Sequence, residues 1–269
     1  MVSTVTQADV SPLVAALEEN LHRHLAYVQR RVAGMTVVDR PDLLLIDSGL
    51  PSDTFNQIAR ARLDPAGAGQ RIAAAIDHFR AAGRPYSWWV GPGSRPLDLQ
   101  PRLAAAGLRL EETEVAMAAA LDQLPPGIDT PAGLDVRRVE SASELAGFAA
   151  AVAANWSPPD AAVDAFYRMA APVLLGRAEC PLRLYAGYLD GQAVAGCEVF
   201  AAAGVAGVYS VVTRERFRRR GIGTAVTWTA LDAARRAGAR TATLQASEAG
   251  RRVYLRLGFR ECARFAEYH

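Results

Sequence analysis

The order of apolar and polar residues in the second half of the chain predicts a regular succession of strands and helices. LDVRRV (134–139), LRLYAGYLDGQAVAGCEVF (182–200) and GVAGVYSVVT (204–213) are typical of strands, and Asp190–Gly191 is a strong hairpin signal. SASELAGFAAAVAANW (141–156) predicts a helix that opens with a capping box, and PPDAAVDAFYRMAAPVLL (158–175) predicts a second. These segments give the order β-α-α-β-β-β.

The end of the chain continues this pattern with two strands and two helices. GTAVTWTALDAARRAGA (223–239) predicts a helix that stops at Gly238, and RTATLQAS (240–247) predicts a strand. EAGRRVYLRLGF (248–259) predicts a helix stopped at Gly258, before a last strand in RECARFAEYH (260–269).

The first half has a weaker pattern with a similar order of elements. Residues 11–33 predict one helix. The segments after it predict a strand, a helix, a strand, a helix and a strand, in DLLLIDSG (42–49), GQRIAAAIDHFRAAG (69–83), RPYSWWVGP (84–92), DLQPRLAAAG (98–107) and LRLEETEVAMAAAL (108–121). The Pro- and Gly-rich stretch 121–139 marks a boundary near residue 130. We therefore predict two structurally related α/β (α+β) domains, 1–128 and 129–269.

Charge and cysteine content change this interpretation only in part. All 30 basic residues are arginine, and 13 of them lie between Arg214 and Arg264, which suggests an anion-binding face. The net charge of +2 counts against nucleic-acid binding. Three scattered cysteines predict free thiols in a reducing compartment. Since the sequence shows neither a signal-peptide pattern nor a bilayer-length apolar run, we expect a cytoplasmic protein with no membrane association.

The arginine-rich segment contains a pattern suited to a phosphate group. Arg218-x-x-Gly221-x-Gly223 follows a predicted strand and opens a predicted helix. The first N–H groups of a helix lack partners, and together with the helix dipole they favour an anion. The spacing is neither the dinucleotide-binding G-x-G-x-x-G nor a P-loop.

Tyr254-x-x-x-Gly258-Phe259 comes about thirty residues later, and with it residues 134–269 resemble the GNAT superfamily of N-acetyltransferases. The resemblance extends only faintly to residues 1–125, as a degenerate copy. It implies two GNAT-like domains in tandem, each a mixed, mostly antiparallel sheet flanked by helices. It implies acetyl-CoA as the acyl donor, with its pyrophosphate on the loop and its pantetheine arm along the preceding strand. One N–H group of that strand would polarise the thioester carbonyl. The implied cofactor-binding residues are Val211, Val212, Thr213, Arg218, Arg219, Arg220, Gly221, Ile222, Gly223, Thr224 and Ser247.

The same resemblance suggests the catalytic groups. Tyr254 occupies the position of a phenol that protonates the departing CoA thiolate. Glu198 is the carboxylate candidate for the base that deprotonates the amine; the alternatives are a solvent-facing glutamate on the strand and a water relay. Ser247 stands where many family members carry asparagine, a departure that affects its expected contact with the cofactor.

Other residues that could carry chemistry are interpreted as structural. His22 and His24 are two residues apart and point to different sides of a helix, so we predict surface residues rather than a metal pair. Trp88 and Trp89 alternate across a strand and predict core packing.

The first half lacks the R-x-x-G-x-G pattern. AGAGQR (66–71) lies at the corresponding place without its arginine, and Leu103 stands where the second half has Tyr254. We predict that this half is catalytically silent and helps to shape the acceptor site.

Together, the residues and the resemblance predict acetyl transfer from acetyl-CoA to a primary amine of a small molecule by direct attack. The alternatives are a non-catalytic acyl-CoA sensor or pseudoenzyme, and a protein N-acetyltransferase. The sequence fixes neither the acceptor nor the oligomeric state, because one fold serves many substrates.

Overall fold

The computed structural model describes residues 10–177 and 179–269. Its α-helices are α1 (Pro12–Tyr27), α2 (Ala68–Ala82), α3 (Leu99–Ala105), α4 (Ala142–Ala153), α5 (Ala161–Leu174), α6 (Ile222–Arg236) and α7 (Glu248–Arg256). Its strands are β1 (Thr36–Arg40), β2 (Leu43–Asp47), β3 (Gln57–Ala59), β4 (Ser87–Val90), β5 (Leu110–Ala120), β6 (Asp135–Arg138), β7 (Leu182–Leu189), β8 (Gln192–Ala202), β9 (Val205–Thr213), β10 (Thr241–Ala246) and β11 (Arg260–Tyr268).

All these strands join into one mixed, mostly antiparallel sheet that runs through both halves. Its order is β1-β2-β3-β4-β11-β5-β10-β9-β8-β7-β6. Each half therefore places its last strand between strands of the other: β11 pairs with β4 and β5, and β5 pairs with β11 and β10. The sheet of neither half is complete without the other half.

The helices cover the two faces of this sheet in separate groups. Along β5, Val115 and Met117 pack in one core with residues of α6 and α7, whereas Ala116 packs in another with Leu17 and Leu21 of α1. α4 and α5 lie on the α1 side, and α2 and α3 lie on the α6 side. We call these the α1 face and the α6 face.

Asn20, in the middle of α1, connects the two halves. It is fully buried, and its amide Nδ2 donates to the carbonyls of Phe200, Ala202 and Val205 at 2.9–3.1 Å. Its Oδ1 accepts the Tyr209 hydroxyl at 2.7 Å. α1 is thereby held over the β8–β9 hairpin of the second half.

Several local signals of the sequence correspond to the structure. Asp190 and Gly191 both have positive φ in the β7–β8 turn, and the capping box of Ser141 and Glu144 is present. The first helix is shorter than predicted: it ends at Tyr27, whose carbonyl accepts a hydrogen bond from the Arg31 guanidinium. β1 and β3 were not predicted. No helix in the described part of the chain is long and apolar enough to cross a membrane.

Candidate active site

The arginine–glycine segment forms the start of α6 and leaves its backbone donors open. Gly221 precedes the helix with φ 78°, and no side chain caps it. The N–H of Ala225 donates to the Gly221 carbonyl at 3.0 Å, so the N–H groups of Ile222, Gly223 and Thr224 come before the first turn closes. The Ile222 side chain is buried, so this residue can offer an anion only its backbone.

Arg218 fastens this loop to the strand before it. Its Nε donates to the Thr213 carbonyl and its Nη2 to Asn155 Oδ1, both at 3.0 Å. Arg219 and Arg220 are exposed, and Arg219 has φ 61°, in the left-handed region. The loop therefore presents two exposed guanidinium groups beside the open N–H groups of the helix, and that of Arg220 lies over the Phe217 ring.

A gap opens in the sheet next to this loop. β9 and β10 pair in parallel only as far as Val208 and Leu244, although both strands continue. The pairing of β8 with β9 shifts register after Glu198–Tyr209, and Ser210 has φ 49°. This irregularity turns β9 away from β10. The half-buried Val211, Val212 and Thr213 therefore border a space where an extended chain could pair with their backbone.

A cavity of about 310 Å³ lies on the α1 face at the same gap. Both halves line it: α1, Phe55 and Trp89 belong to the first half, and α5, β8 and β9 to the second. Trp88, by contrast, is fully buried in the core. The first half packs against the second and forms one side of this cavity.

Glu198 lies in this cavity with both carboxylate oxygens engaged. Tyr167 donates its hydroxyl to Oε1 at 2.6 Å, and His24 Nε2 lies 2.8 Å from Oε2. The His24 ring stacks on Tyr209, with centroids 3.8 Å apart. Burial, together with the charge of Glu198, raises the pKa of both tyrosines well above the usual range, so their hydroxyls stay protonated.

The prediction that His22 and His24 are surface residues is wrong. His22 is buried, which lowers its pKa to about 3, and His24 lines the cavity. α1 is enclosed by the sheet and by the second half, so more than one of its sides is covered. The spacing Leu17, Leu21, His24 and Val28 already put His24 on the apolar stripe of the helix.

Glu114 is a cavity residue that sequence reasoning missed. It follows the same alternation as Glu112 and Ala116 on β5, which turns its side chain to the α1 face. Burial, followed by the charges of Glu267 and Glu112, raises its pKa to about 8. The alternation in LEETEVAM could have shown this orientation, but only if the helix over that face had been known.

Tyr254 and Ser247 lie on the other side of the gap, at α7. Tyr254 is buried, and its ring meets that of Phe259 edge-on with the ring centroids 5.9 Å apart. Burial raises the pKa of Tyr254 above its ordinary value. It thus stays protonated and keeps a proton to donate. The Ser247 hydroxyl accepts the Gly250 N–H at 3.3 Å and caps α7. The Ser247 side chain, for which the sequence predicts a contact with the cofactor, is thus already engaged by the Gly250 N–H.

The corresponding parts of the first half have a different geometry. Gly67 precedes α2 with φ −94°, outside the left-handed region that Gly221 adopts, and Leu103 is fully buried. No cluster of three or more His, Cys, Asp or Glu side chains suited to a metal ion occurs in the residues that the structure describes.

Comparison with known proteins identifies one part of the chain. Residues 154–259 match the family described as Acetyltransferase (GNAT) family. No curated protein sequence matches the chain significantly.

Solved structures are similar over nearly the whole chain. A GCN5-related N-acetyltransferase from Kribbella flavida has a TM-score of 0.70 at 22% identity, covering 94% of this chain and 95% of its own. One from Sphaerobacter thermophilus has a TM-score of 0.61 at 19% identity, covering 96% and 90%. A tandem GNAT protein from the clavulanic acid biosynthesis pathway has a TM-score of 0.59 at 17% identity, covering 84% and 77%. These likenesses show a shared fold, and the matched segment shows a domain of the GNAT acetyltransferase family at residues 154–259.

Proposed function

We propose that the chain is an acetyl-CoA-dependent N-acetyltransferase that acts on a primary amine of a small molecule by direct attack. One observation carries this proposal. The open helix start of α6, the gap between β9 and β10, and the cavity on the α1 face adjoin one another. Such an arrangement offers an acyl donor and an acceptor separate entrances to one reaction centre.

The residues present suit the acyl donor. The N–H groups from Arg219 to Thr224 and the exposed guanidinium groups of Arg219 and Arg220 fit a pyrophosphate. At Gly223 an added Cβ would lie 3.1 Å from Thr213 Oγ1, so a larger residue would crowd the loop. The backbone of Val211, Val212 and Thr213 would hold the pantetheine arm. Acetyl-CoA supplies an activated thioester, which an amine can attack without a covalent enzyme intermediate.

The remaining roles follow from charge and position. A backbone N–H of β9 at the gap would stabilise the negative charge that develops on the thioester oxygen. Tyr254, which stays protonated, would give its proton to the leaving thiolate. The protonated amine must lose a proton before attack, and the cavity contains the carboxyl groups Glu198 and Glu114.

The cavity favours a small molecule over a protein tail. Its volume of about 310 Å³ is at the low end of the range of roughly 300–1,000 Å³ typical of small-molecule sites. α1 covers it from the first half through the Asn20 contacts to three backbone carbonyls. A long polypeptide acceptor would need a wider and more open groove.

The test is turnover with acetyl-CoA and a panel of primary amines, followed by thiol release and mass spectrometry. We expect thiol release to equal the amount of N-acetylated amine formed. Tight acetyl-CoA binding without turnover on any amine would favour a non-catalytic acyl-CoA sensor. Turnover on lysine peptides but not on small amines would favour a protein acetyltransferase.

A further inference from the structure

The cavity on the α1 face has an unusual charge balance for this chain. None of the 30 arginines of the chain is among the described residues that line the cavity, whereas Glu114 and Glu198 both line it. A carboxylate or phosphate on the acceptor would lie beside these two glutamates with no arginine to pair with it, and His24 already contacts Glu198, so its burial there is unfavourable. The lining therefore selects against amino acids and phosphorylated amines.

Apolar and aromatic side chains form much of the rest of the lining, which also includes the polar residues Gln29, Thr54, Gln57, Ser210 and Gln245. Phe55 stacks on Phe166 with centroids 3.9 Å apart, and Trp89 and residues of α1 complete the walls. Two buried amide atoms at the cavity, Gln29 Oε1 and Gln245 Nε2, have no hydrogen-bond partner among the residues that the structure describes. Such a site fits a short apolar body with one polar end.

The two carboxyl groups are not equivalent. Glu198 already accepts a hydrogen bond from Tyr167, and its other oxygen contacts His24. Glu114 has no hydrogen-bond partner in the described part of the chain and remains free to meet a ligand. Of the two carboxyl groups, the one that is open to an amine nitrogen entering the cavity is therefore Glu114.

Glu114 is also placed where the acyl group would arrive. Val115, its neighbour on β5, pairs with Ala246, the last residue of β10. Glu114 thus lies at the end of β10, beyond the point where β9 and β10 have parted. Because β5 is the strand that the first half places in the sheet of the second, this position exists only through the strand exchange.

From this geometry we infer that Glu114 of the first half binds the ammonium group of the acceptor and takes its proton. The acceptor is a small primary amine with an apolar body and neither carboxylate nor phosphate. The inference rests on the proposed acetyl transfer and assigns a catalytic residue to the half that the sequence predicted to be silent.

The proton and bond balance is complete. The ammonium gives one proton to the Glu114 carboxylate, and the free amine attacks the thioester carbonyl. The C–N bond forms, the C–S bond breaks, and the second amine proton goes to the CoA thiolate. Glu114 then releases its proton to solvent, so each turnover yields amide, CoA thiol and one proton.

The environment of Glu114 suits this exchange near neutral pH. Its pKa of about 8 reflects burial and the negative charges of Glu267 and Glu112. An ammonium bound beside it would lower that pKa and expel the carboxyl proton. Among the described residues, the other titratable groups that line the cavity are His24, Tyr167, Glu198 and Tyr209. Tyr254 lies outside the lining but is close enough for the charge of Glu114 to affect its pKa.

Calorimetry in the presence of CoA tests the site without requiring turnover. The probes are 2-phenylethylamine and phenylalanine, which differ by one carboxylate. Titrations at pH 7 in two buffers of different ionisation enthalpy report the protons released on binding. The variants are Glu114→Gln and, as the matched control, Glu111→Gln, which removes the same charge from an exposed position of β5.

We expect the parent to bind 2-phenylethylamine at least about tenfold more tightly than phenylalanine and to release protons. Glu114→Gln should lose the proton release and about tenfold in affinity, and Glu111→Gln should match the parent. If an amine is also turned over, kcat/KM should rise with increasing pH, with an apparent pKa near 8. This rise should be absent in Glu114→Gln.

The outcomes separate the two proposals. Binding with proton release but no acetylated product would contradict the proposed function and leave the acceptor site standing. Turnover with Glu114→Gln within about twofold of the parent would overturn the role of Glu114. Equal binding of phenylalanine, or no binding of 2-phenylethylamine by the parent, would overturn the acceptor class.

Discussion

Substitution of Gly223 by aspartate places a carboxylate on the second residue of α6, among the open N–H groups. The new Cβ would meet only Thr213 Oγ1, at 3.1 Å, and this flexible side-chain end can move by a few tenths of an ångström. An acidic residue in the first turn of a helix is favourable by about 0.3–1 kcal/mol. The variant should therefore fold and melt close to the parent.

The effect on acetyl-CoA comes from charge and space. Two unit charges 4 Å apart repel by about 1 kcal/mol in water and about 4 kcal/mol at an effective dielectric constant near 20. A partly exposed loop lies between these limits. We expect the affinity for acetyl-CoA to fall by at least tenfold, which is about 1.4 kcal/mol.

The first half supplies a matched control at Gly69. Gly69 is the second residue of α2, as Gly223 is of α6, and each follows a glycine two positions earlier. An added Cβ at Gly69 meets nothing within 4 Å. Calorimetry should show Gly69→Asp binding acetyl-CoA like the parent. A folded Gly223→Asp protein with parental affinity, or an equal loss at Gly69, would refute the placement of the pyrophosphate.

Three further changes test other parts of the account. Tyr254→Phe keeps the buried ring but removes the proton donor, so kcat should fall by roughly 10²-fold at unchanged acetyl-CoA affinity. A lower melting temperature with kcat within about twofold of the parent would show that Tyr254 is a core residue instead. Asn20→Asp replaces the amide that donates to three carbonyls with an acceptor, so urea denaturation should show a free energy of unfolding about 3 kcal/mol lower than that of the parent. A decrease below about 0.5 kcal/mol would contradict the role of Asn20 in joining the halves. The pKa of Glu114 is raised from 4.5 to about 8 in the folded protein, so as pH rises the carboxyl group loses its proton in the unfolded chain before it does so in the folded one. The free energy of unfolding should therefore fall as pH rises from 4.5 to about 8. Glu114→Gln should flatten this fall, and an unchanged pH dependence would show that Glu114 is not buried as described.

Local chemistry made much of the second half predictable. The Asp190–Gly191 turn needs residues that tolerate positive φ, and the Ser141–Glu144 capping box satisfies its own helix start. The Gly221-x-Gly223 part of the loop likewise acts locally, because Gly221 adopts positive φ directly before the helix. Signals of this kind do not change with the tertiary partners of a segment.

The exchange of strands could not be predicted in this way. β5 and β11 have the same alternation whichever strands they pair with, so their sequences do not reveal that each lies in the other half. The placement of His24 and Glu114 in the cavity depends on that exchange and on α1 lying over the sheet. Both are non-local facts, and for this reason the sequence placed all the catalytic and cofactor-binding residues in the second half and gave the first half only a part in shaping the acceptor site.

A crystal structure of the protein with acetyl-CoA tests the central claim most directly. We expect one cofactor, with its pyrophosphate on the N–H groups between Arg219 and Thr224 and its pantetheine arm along Val211–Thr213. Its thioester should reach the gap between β9 and β10, beside the cavity that contains Glu114 and Glu198. Ordered cofactor at the start of α2, or a thioester outside the gap, would contradict it.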